Sequence, residues 1–328
     1  MKILFTGMSS YHCKPPKTTR YFGTLAKAVG RVAEVSWAIP SVKWSLEDLA
    51  EYDYVVVGVS PPTSLSANKA YGGLHVMNLL WDDPRLKLVV DSPQIWQYKN
   101  SINRSSKNLI SGLFPAFYAN RWEYSEALTS TSIPDVIDKL NNNAWPVTIF
   151  PGLPWKSDES IVKSFGLDVG SSIISLNLDA INLTDPVESD VRQPFWSIDD
   201  ANLGWSQSLA KTIKYETVDV RSKRGYPDQE ATETILDSVG LIIPPQERKV
   251  GTWWTYRYVQ GMNTLTPIAT DWLETVNFSP SWSKLAYQIE DMSSEDRRSL
   301  AQTQREDYVR AIPSVEQLDQ LITSRIFN

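Results

Sequence analysis

The chain has little of what several common chemistries require. Its 328 residues include one cysteine, Cys13, and two histidines, His12 and His75. No intrachain disulfide can form, which fits a reducing compartment. His-based metal sites and Ser-His-Asp triads have almost nothing to draw on. Cys13 next to His12 would make an unusual nucleophile pair, because adjacent side chains rarely face one another, and a buried thiol is the simpler reading. No apolar run approaches the roughly 18 residues that span a bilayer. The opening MKILFTG is broken at Gly7 and followed by polar and basic residues, so it predicts a first strand rather than a signal peptide. A soluble protein with no membrane partner is expected. The loop after that strand, Gly7 to Ser10, lacks the G-x-G-x-x-G pattern, which leaves a dinucleotide cofactor without support. Asp82 and Asp83 read as a polar turn, and no metal-ligand set stands out.

What is present is a globular composition, 42% apolar and 21% charged, in a length that suits two domains. The net charge of −6 argues against a nucleic-acid partner. Its distribution argues less firmly: residues 1–150 hold 15 basic against 12 acidic side chains, net +3, and residues 151–328 hold 17 against 26, net −9. A polyanion could meet the first half and avoid the second, although ordinary scatter accounts for a difference of that size equally well.

Apolar runs alternate with helical periodicity along the chain. Strands are expected at Lys2–Thr6, Val32–Trp37, Tyr54–Gly58, Leu86–Val90, Val147–Phe150, Ile173–Asn177, Thr217–Val220 and Val239–Ile243, with a weak one at Pro267–Ala269. Helices are expected at Thr18–Val29, Leu46–Ala50, Leu74–Leu80, Ala201–Ile213, Asp228–Leu236, from Arg257 to Asn263, and over Ser293–Ile322 with a break at Pro313. Strands apolar on both faces and alternating with helices predict parallel sheets covered by helices. The Pro/Gly-rich PGLPW at residues 151–155 suits a linker. The expected architecture is α/β: two Rossmann-like, doubly wound domains, residues 1–150 and 151–304, with 305–328 returning to the first. Ligands of such sheets bind beyond the carboxyl ends of the strands, and with two sheets the expected site is a cleft between them.

Three groups of residues carry candidate chemistry. Arg257 and Gln260 open a helix that follows an apolar strand. The helix start attracts phosphate, the guanidinium fork fits two of its oxygens, and Gln260 one turn on can bond sugar hydroxyls. On spacing alone, a surface arginine beside a polar helix residue is the more common case. Asp91 closes an apolar strand, where a carboxylate can act as a general base or can cap the turn DSPQ. Lys99, Arg104 and Lys107 lie among small polar residues, and with Lys14, Lys17 and Arg20 they could line one rim of a DNA groove or simply form solvated loops.

The segment LIIPPQERKVGTWWTYRYVQGMNTLTPIA resembles the donor-nucleotide segment of phage DNA β-glucosyltransferases, which glucosylate hydroxymethylcytosine. The family's Thr-x-Arg-x-x-Glu-x-Met is matched by Thr255, Arg257, Gln260 and Met262, with an amide where the family has a carboxylate. The resemblance implies that Arg257 holds a diphosphate and Gln260 the ribose, that Tyr226 in Gly225-Tyr226-Pro227 meets the uracil, and that Asp91 is the catalytic base. The family's Gly-Gly-Ser loop with two phosphate arginines is not visible, and Arg192 is the candidate replacement for one of them. Residues 185–200 look like an insertion. The resemblance is ordered along most of the chain and implies a GT-B glycosyltransferase acting as a monomer in a phage-infected host's cytoplasm. It would move a sugar from a UDP-sugar, with Mg2+ or Mn2+ neither shown nor excluded, to a hydroxylated base in double-stranded DNA. Two alternatives stand beside it: the same chemistry on a small-molecule or protein acceptor, which the net charge favours, and nucleotide-sugar binding without turnover.

Overall fold

The computed structural model describes residues 1–6, 21–38, 44–59, 76, 79–90, 147–151, 173–199, 211–220, 228–243, 256–269 and 284–328. They fall into two compact units, Met1–Ile181 with Val315–Asn328, and Asn182–Ser314.

In the first unit, among the described residues, six strands form one sheet. They are β1 (Lys2–Thr6), β2 (Glu34–Trp37), β3 (Tyr54–Val59), β4 (Leu86–Val90), β5 (Val147–Pro151) and β6 (Ile173–Leu176), in spatial order β2-β1-β3-β4-β5-β6. Every pairing is parallel. Both faces are closed, as the continuous apolar runs require. Ile3, Phe5, Val56, Val89 and Ile149 lie in one core with Phe22, Leu25 and Val29 of α1 (Tyr21–Val29), while Leu4, Val55, Val57 and Leu88 are also fully buried. Helix α2 (Leu46–Leu49) is started by a Ser45/Asp48 capping box.

The second unit is built on β7 (Gln193–Ile198), β8 (Glu216–Asp219), β9 (Ser238–Ile242) and β10 (Ile268–Ala269), ordered β10-β9-β7-β8 and again parallel. Among the described residues its helices are α3 (Asp228–Asp237), α4 (Tyr256–Asn263), α5 (Ala286–Glu290) and α6 (Ser294–Ala311). The end of the chain, α7 (Val315–Leu321) and a π-helical turn (Ile322–Ile326), belongs to the first unit. There Leu318, Ile322 and Ile326 enter the sheet's core, and Arg31 grips Asp319 through two nitrogens at 3.0 Å.

Several expectations change against this structure. The division falls at Ile181/Asn182 and Ser314/Val315 rather than at 150/151 and 304/305. The reason is pairing: β6 continues the first sheet from β5, and α6 stays with the second unit. Gln304 on α6 accepts from Ile268 N and donates to Ile268 O at 2.9 Å, completing the edge of β10 with a side-chain amide. The helix expected from Ser293 starts one residue later, at Ser294, and Ser293 caps it with a hydroxyl that accepts from Asp296 N. Lys211–Ile213, expected to end a helix, lie outside one.

The largest difference is β7. Residues 185–200 read as an insertion, yet Gln193–Ile198 supplies one of the second sheet's two inner strands. Gln193 and Pro194 disguise its start, and Pro194 lies within a register irregularity where Gln193 faces Ser238 but Trp196 faces Gly240. The rest of the strand is well buried. Trp196 packs directly over Gly240, where a Cβ would come within 2.3 Å of the indole. The indole Nε1 donates to buried Glu290, which also accepts the backbone N–H groups of Lys214 and Tyr215. Ser197, polar in a buried strand, donates to Thr234 O.

Candidate functional site

The strand order of the second unit fixes where a ligand would sit. From β7 the chain steps to β8 on one side and then to β9 on the other, so the topological switch point lies between β7 and β9. Ligands of open α/β sheets bind at that point, beyond the carboxyl ends of the strands.

Four side chains from three elements meet there. Asp199 directly follows β7, and its backbone N–H continues the ladder to Ile242 O at 2.9 Å. Its carboxylate is nearly sealed from solvent, 3% exposed, and Oδ1 lies 3.9 Å from Nε of Arg257 in the first turn of α4. Arg257 Nη1 donates to Gln260 Oε1 at 2.5 Å. Gln260 is 1% exposed, and its Nε2 donates to Thr232 Oγ1 on α3 at 2.7 Å. The helix beneath them is held by Tyr258, Val259 and Met262, all buried. Burial first, and the Asp199 charge second, push the Tyr258 phenol well above its ordinary range.

This arrangement suits a phosphorylated ligand. A helix start carries partial positive charge, and a largely buried guanidinium adds a fixed cation where water competes poorly. Arg257 and Gln260, paired from their spacing, are thus brought together at the switch point. Asp199 and Thr232 were not singled out. The signal for Asp199 was the one that marks Asp91, a carboxylate closing a strand, and it was hidden because the strand itself was not read. Thr232 leaves no trace in one sequence, since an exposed and a buried helix threonine look alike.

Arg192, expected near the donor phosphates, lies elsewhere. It precedes β7, at the amino edge of the sheet, with the whole strand between it and Asp199. Its Nη1 donates to Ser238 O and Thr266 Oγ1, and its Nη2 to Thr264 O and Leu265 O, at 2.8–3.0 Å. These bonds clamp the turn that ends α4, where Leu265 has φ 45°, a left-handed conformation unfavourable for a side chain of its kind. Arg192 is therefore a structural clamp. It also borders a cavity of ≈ 170 Å³ with Arg297 and Arg298, well under the several hundred Å³ of a nucleotide-sized pocket.

The remaining candidates, Asp91, Tyr226, Lys14, Lys17, Arg20, Lys99, Arg104 and Lys107, lie outside the described residues. Among the described residues, no group of three His, Cys, Asp or Glu side chains is placed to hold a metal ion. None of the described helices is long and apolar enough to cross a membrane.

The fold is a known one, the GT-B fold. Solved structures that it resembles include several of the T4 phage β-glucosyltransferase. One, in complex with its UDP-glucose substrate, superposes with a TM-score of 0.59 at 10% identity, covering 99% of both chains. A second, in complex with UDP and Mn2+, gives 0.56 at 11% identity over 99% of both. A third, described as a DNA-modifying enzyme with and without uridine diphosphoglucose, gives 0.53 at 10% over 98% of this chain and 99% of the other. No protein-family model and no curated protein sequence matches the chain.

Proposed function

We propose that the protein is a glycosyltransferase that moves a sugar from a UDP-sugar to the hydroxyl of a modified base in double-stranded DNA, with inversion at the anomeric carbon. The observation that carries this reading is the position of Arg257 and Gln260: at the switch point of the second sheet, in a chain whose fold follows the T4 phage enzyme from end to end.

In this reading the unit Asn182–Ser314 holds the donor and the other unit receives the acceptor. Tyr226 meets the uracil, Gln260 the ribose side, and Arg257 the diphosphate. Asp91 accepts the proton of the acceptor hydroxyl. The freed oxygen attacks the anomeric carbon as its bond to the diphosphate oxygen breaks, and UDP leaves with the electron pair. Arg257 then matters most as negative charge grows on the leaving oxygen, which is where a fixed cation lowers the barrier. Inversion needs a single displacement and a single base. Lys14, Lys17, Arg20, Lys99, Arg104 and Lys107 are assigned to the DNA backbone, contacts that salt weakens. A base reacting inside a duplex must be flipped out. A divalent ion, when bound, would supply positive charge to the diphosphate.

The net charge of −6 favours a second acceptor class, a small molecule or a protein. A panel of nucleotide sugars in a thermal-shift assay tests the donor, since a ligand at a hundred times its Kd stabilises the fold by about 2.7 kcal/mol. UDP release with and without hydroxymethylated DNA tests the acceptor. DNA-dependent release supports the proposal, turnover on small acceptors alone supports the second class, and donor binding without any turnover makes the protein a nucleotide-sugar binder.

A further inference from the structure

Gly261 sits inside α4, where glycine is a poor choice for helix formation and alanine would be a better one. Its backbone is ordinary helix, so no left-handed conformation calls for glycine either. What calls for it is space. A Cβ at 261 would lie 3.0 Å from Leu241 Cδ2 on β9, and 3.2 and 3.3 Å from Ile268 Cγ1 and Cδ1 on β10. Leu241 and Ile268 are themselves partners in the β9–β10 ladder, so α4 rests on the sheet through the bare backbone of Gly261.

The surroundings are poorly able to give way. Leu241 and Ile268 are buried, and Gln304 holds both backbone polar groups of Ile268. The Gly261 carbonyl accepts from Thr266 N at 2.9 Å and from Thr264 Oγ1 at 3.1 Å, which ties this turn of α4 to the segment leading into β10. A side chain at 261 would therefore act on the helix, lifting it from the sheet. Arg257 lies four residues earlier, on the same face one turn nearer the helix start. Helical side chains also lean toward the helix start, so a group at 261 would grow toward the turn that carries Arg257.

We propose that Gly261 is a positioning residue of the diphosphate subsite: its missing side chain seats α4 on β9 and β10 and thereby sets where Arg257 stands at the switch point. Gly261 does not touch the ligand and acts through Arg257. The close approach rests on geometry alone, while the diphosphate rests on the function proposed above.

The test uses the full chain as wild type, Gly261→Ala, Gly261→Val, Leu241→Val and the double variant Gly261→Ala/Leu241→Val. UDP affinity is read by calorimetry at a temperature where circular dichroism shows each protein folded. A displacement of about 1 Å can cost about 10²-fold at a reacting centre, so the smaller shift forced by Gly261→Ala is expected to weaken UDP binding by about tenfold, and Gly261→Val by more. Leu241→Val removes the atom nearest position 261. Alone it lowers the unfolding temperature, as a lost core methylene does, and leaves UDP affinity within about twofold of wild type. In the double variant it is expected to bring affinity back to within about threefold of wild type, a recovery that independent lesions do not give. Gly261→Ala is the deciding variant if Gly261→Val does not fold. Wild-type affinity in Gly261→Ala, a double variant that binds no better than Gly261→Ala, or an equal loss in Leu241→Val overturns the proposal and leaves the donor reading standing. A wild-type protein that does not bind UDP removes both.

Discussion

Gly240 on β9 lies under the ring of Trp196, and the consequence of giving it a side chain can be worked from the contacts. A Cβ at 240 would meet Trp196 Cζ3 at 2.3 Å and Cε3 and Cη2 at 2.9 Å. Carbon atoms pack at about 3.5–4.0 Å, so ring and strand would have to separate by about 1 Å or more. The ring has little room to yield. It is fully buried, its Nε1 is bonded to Glu290 at 2.9 Å, and Glu290 is itself anchored by the Lys214 and Tyr215 amides. Overpacking in a closed core costs about 1–3 kcal/mol, and a rigid, tethered ring places Gly240→Ala at the upper end, about 3 kcal/mol. For a unit of this size that corresponds to a fall of about 10 °C in unfolding temperature, read by circular dichroism or calorimetry. Trp196→Phe should recover part of the loss in the Gly240→Ala background, because the clashing atoms belong to the larger ring system. An unfolding temperature for Gly240→Ala within about 2 °C of wild type would refute the packing of β7 against β9 described above.

Other outcomes follow from the site and from the ion pairs. Arg257→Ala should lower kcat/KM for the UDP-sugar by about 10²-fold, the scale of one transition-state contact; initial rates over a donor series measure it. Asp91→Asn should abolish transfer while UDP affinity, read by calorimetry, stays within about threefold of wild type, as expected of a base that does not touch the nucleotide. Arg192→Ala should cost about 3 kcal/mol in urea unfolding through lost clamping of the α4 turn and leave UDP affinity unchanged; a loss of UDP binding in protein that remains folded would return Arg192 to the donor site. The Arg85 guanidinium, bonded to both Asp83 oxygens, holds the Asp83 carboxyl below its ordinary range. Its contribution to stability is therefore complete above the unfolded carboxyl's pKa near 4 and is lost as pH falls through the lower folded value. Unfolding of Asp83→Asn followed from pH 6 to pH 2 should show a shallower acid decline than wild type.

The parts of the fold that local pattern controls were legible in the sequence. Lys2–Thr6, Leu86–Val90 and the helix opening near Arg257 lie where periodicity places them, because a strand buried on both faces is written as an unbroken apolar run. The pairing of Arg257 with Gln260 was legible for the same reason: residues three apart on a helix share a face whatever surrounds it. β7 was not, because a strand beginning Gln-Pro and carrying a serine inside looks like a loop until Thr234 and β9 are present to satisfy it.

Composition and periodicity by themselves determined that this is an α/β protein with helix-covered parallel sheets. Tertiary structure alone decided that β6 belongs to the first sheet and that Arg192 clamps a turn. It also decided that Asp199, Arg257, Gln260 and Thr232 share one buried edge. The reason is range: periodicity and capping act within a few residues, whereas strand order and buried polar contacts join groups tens of residues apart, such as Thr232 to Gln260 and Asp199 to Arg257, and exist only once the chain has closed on itself.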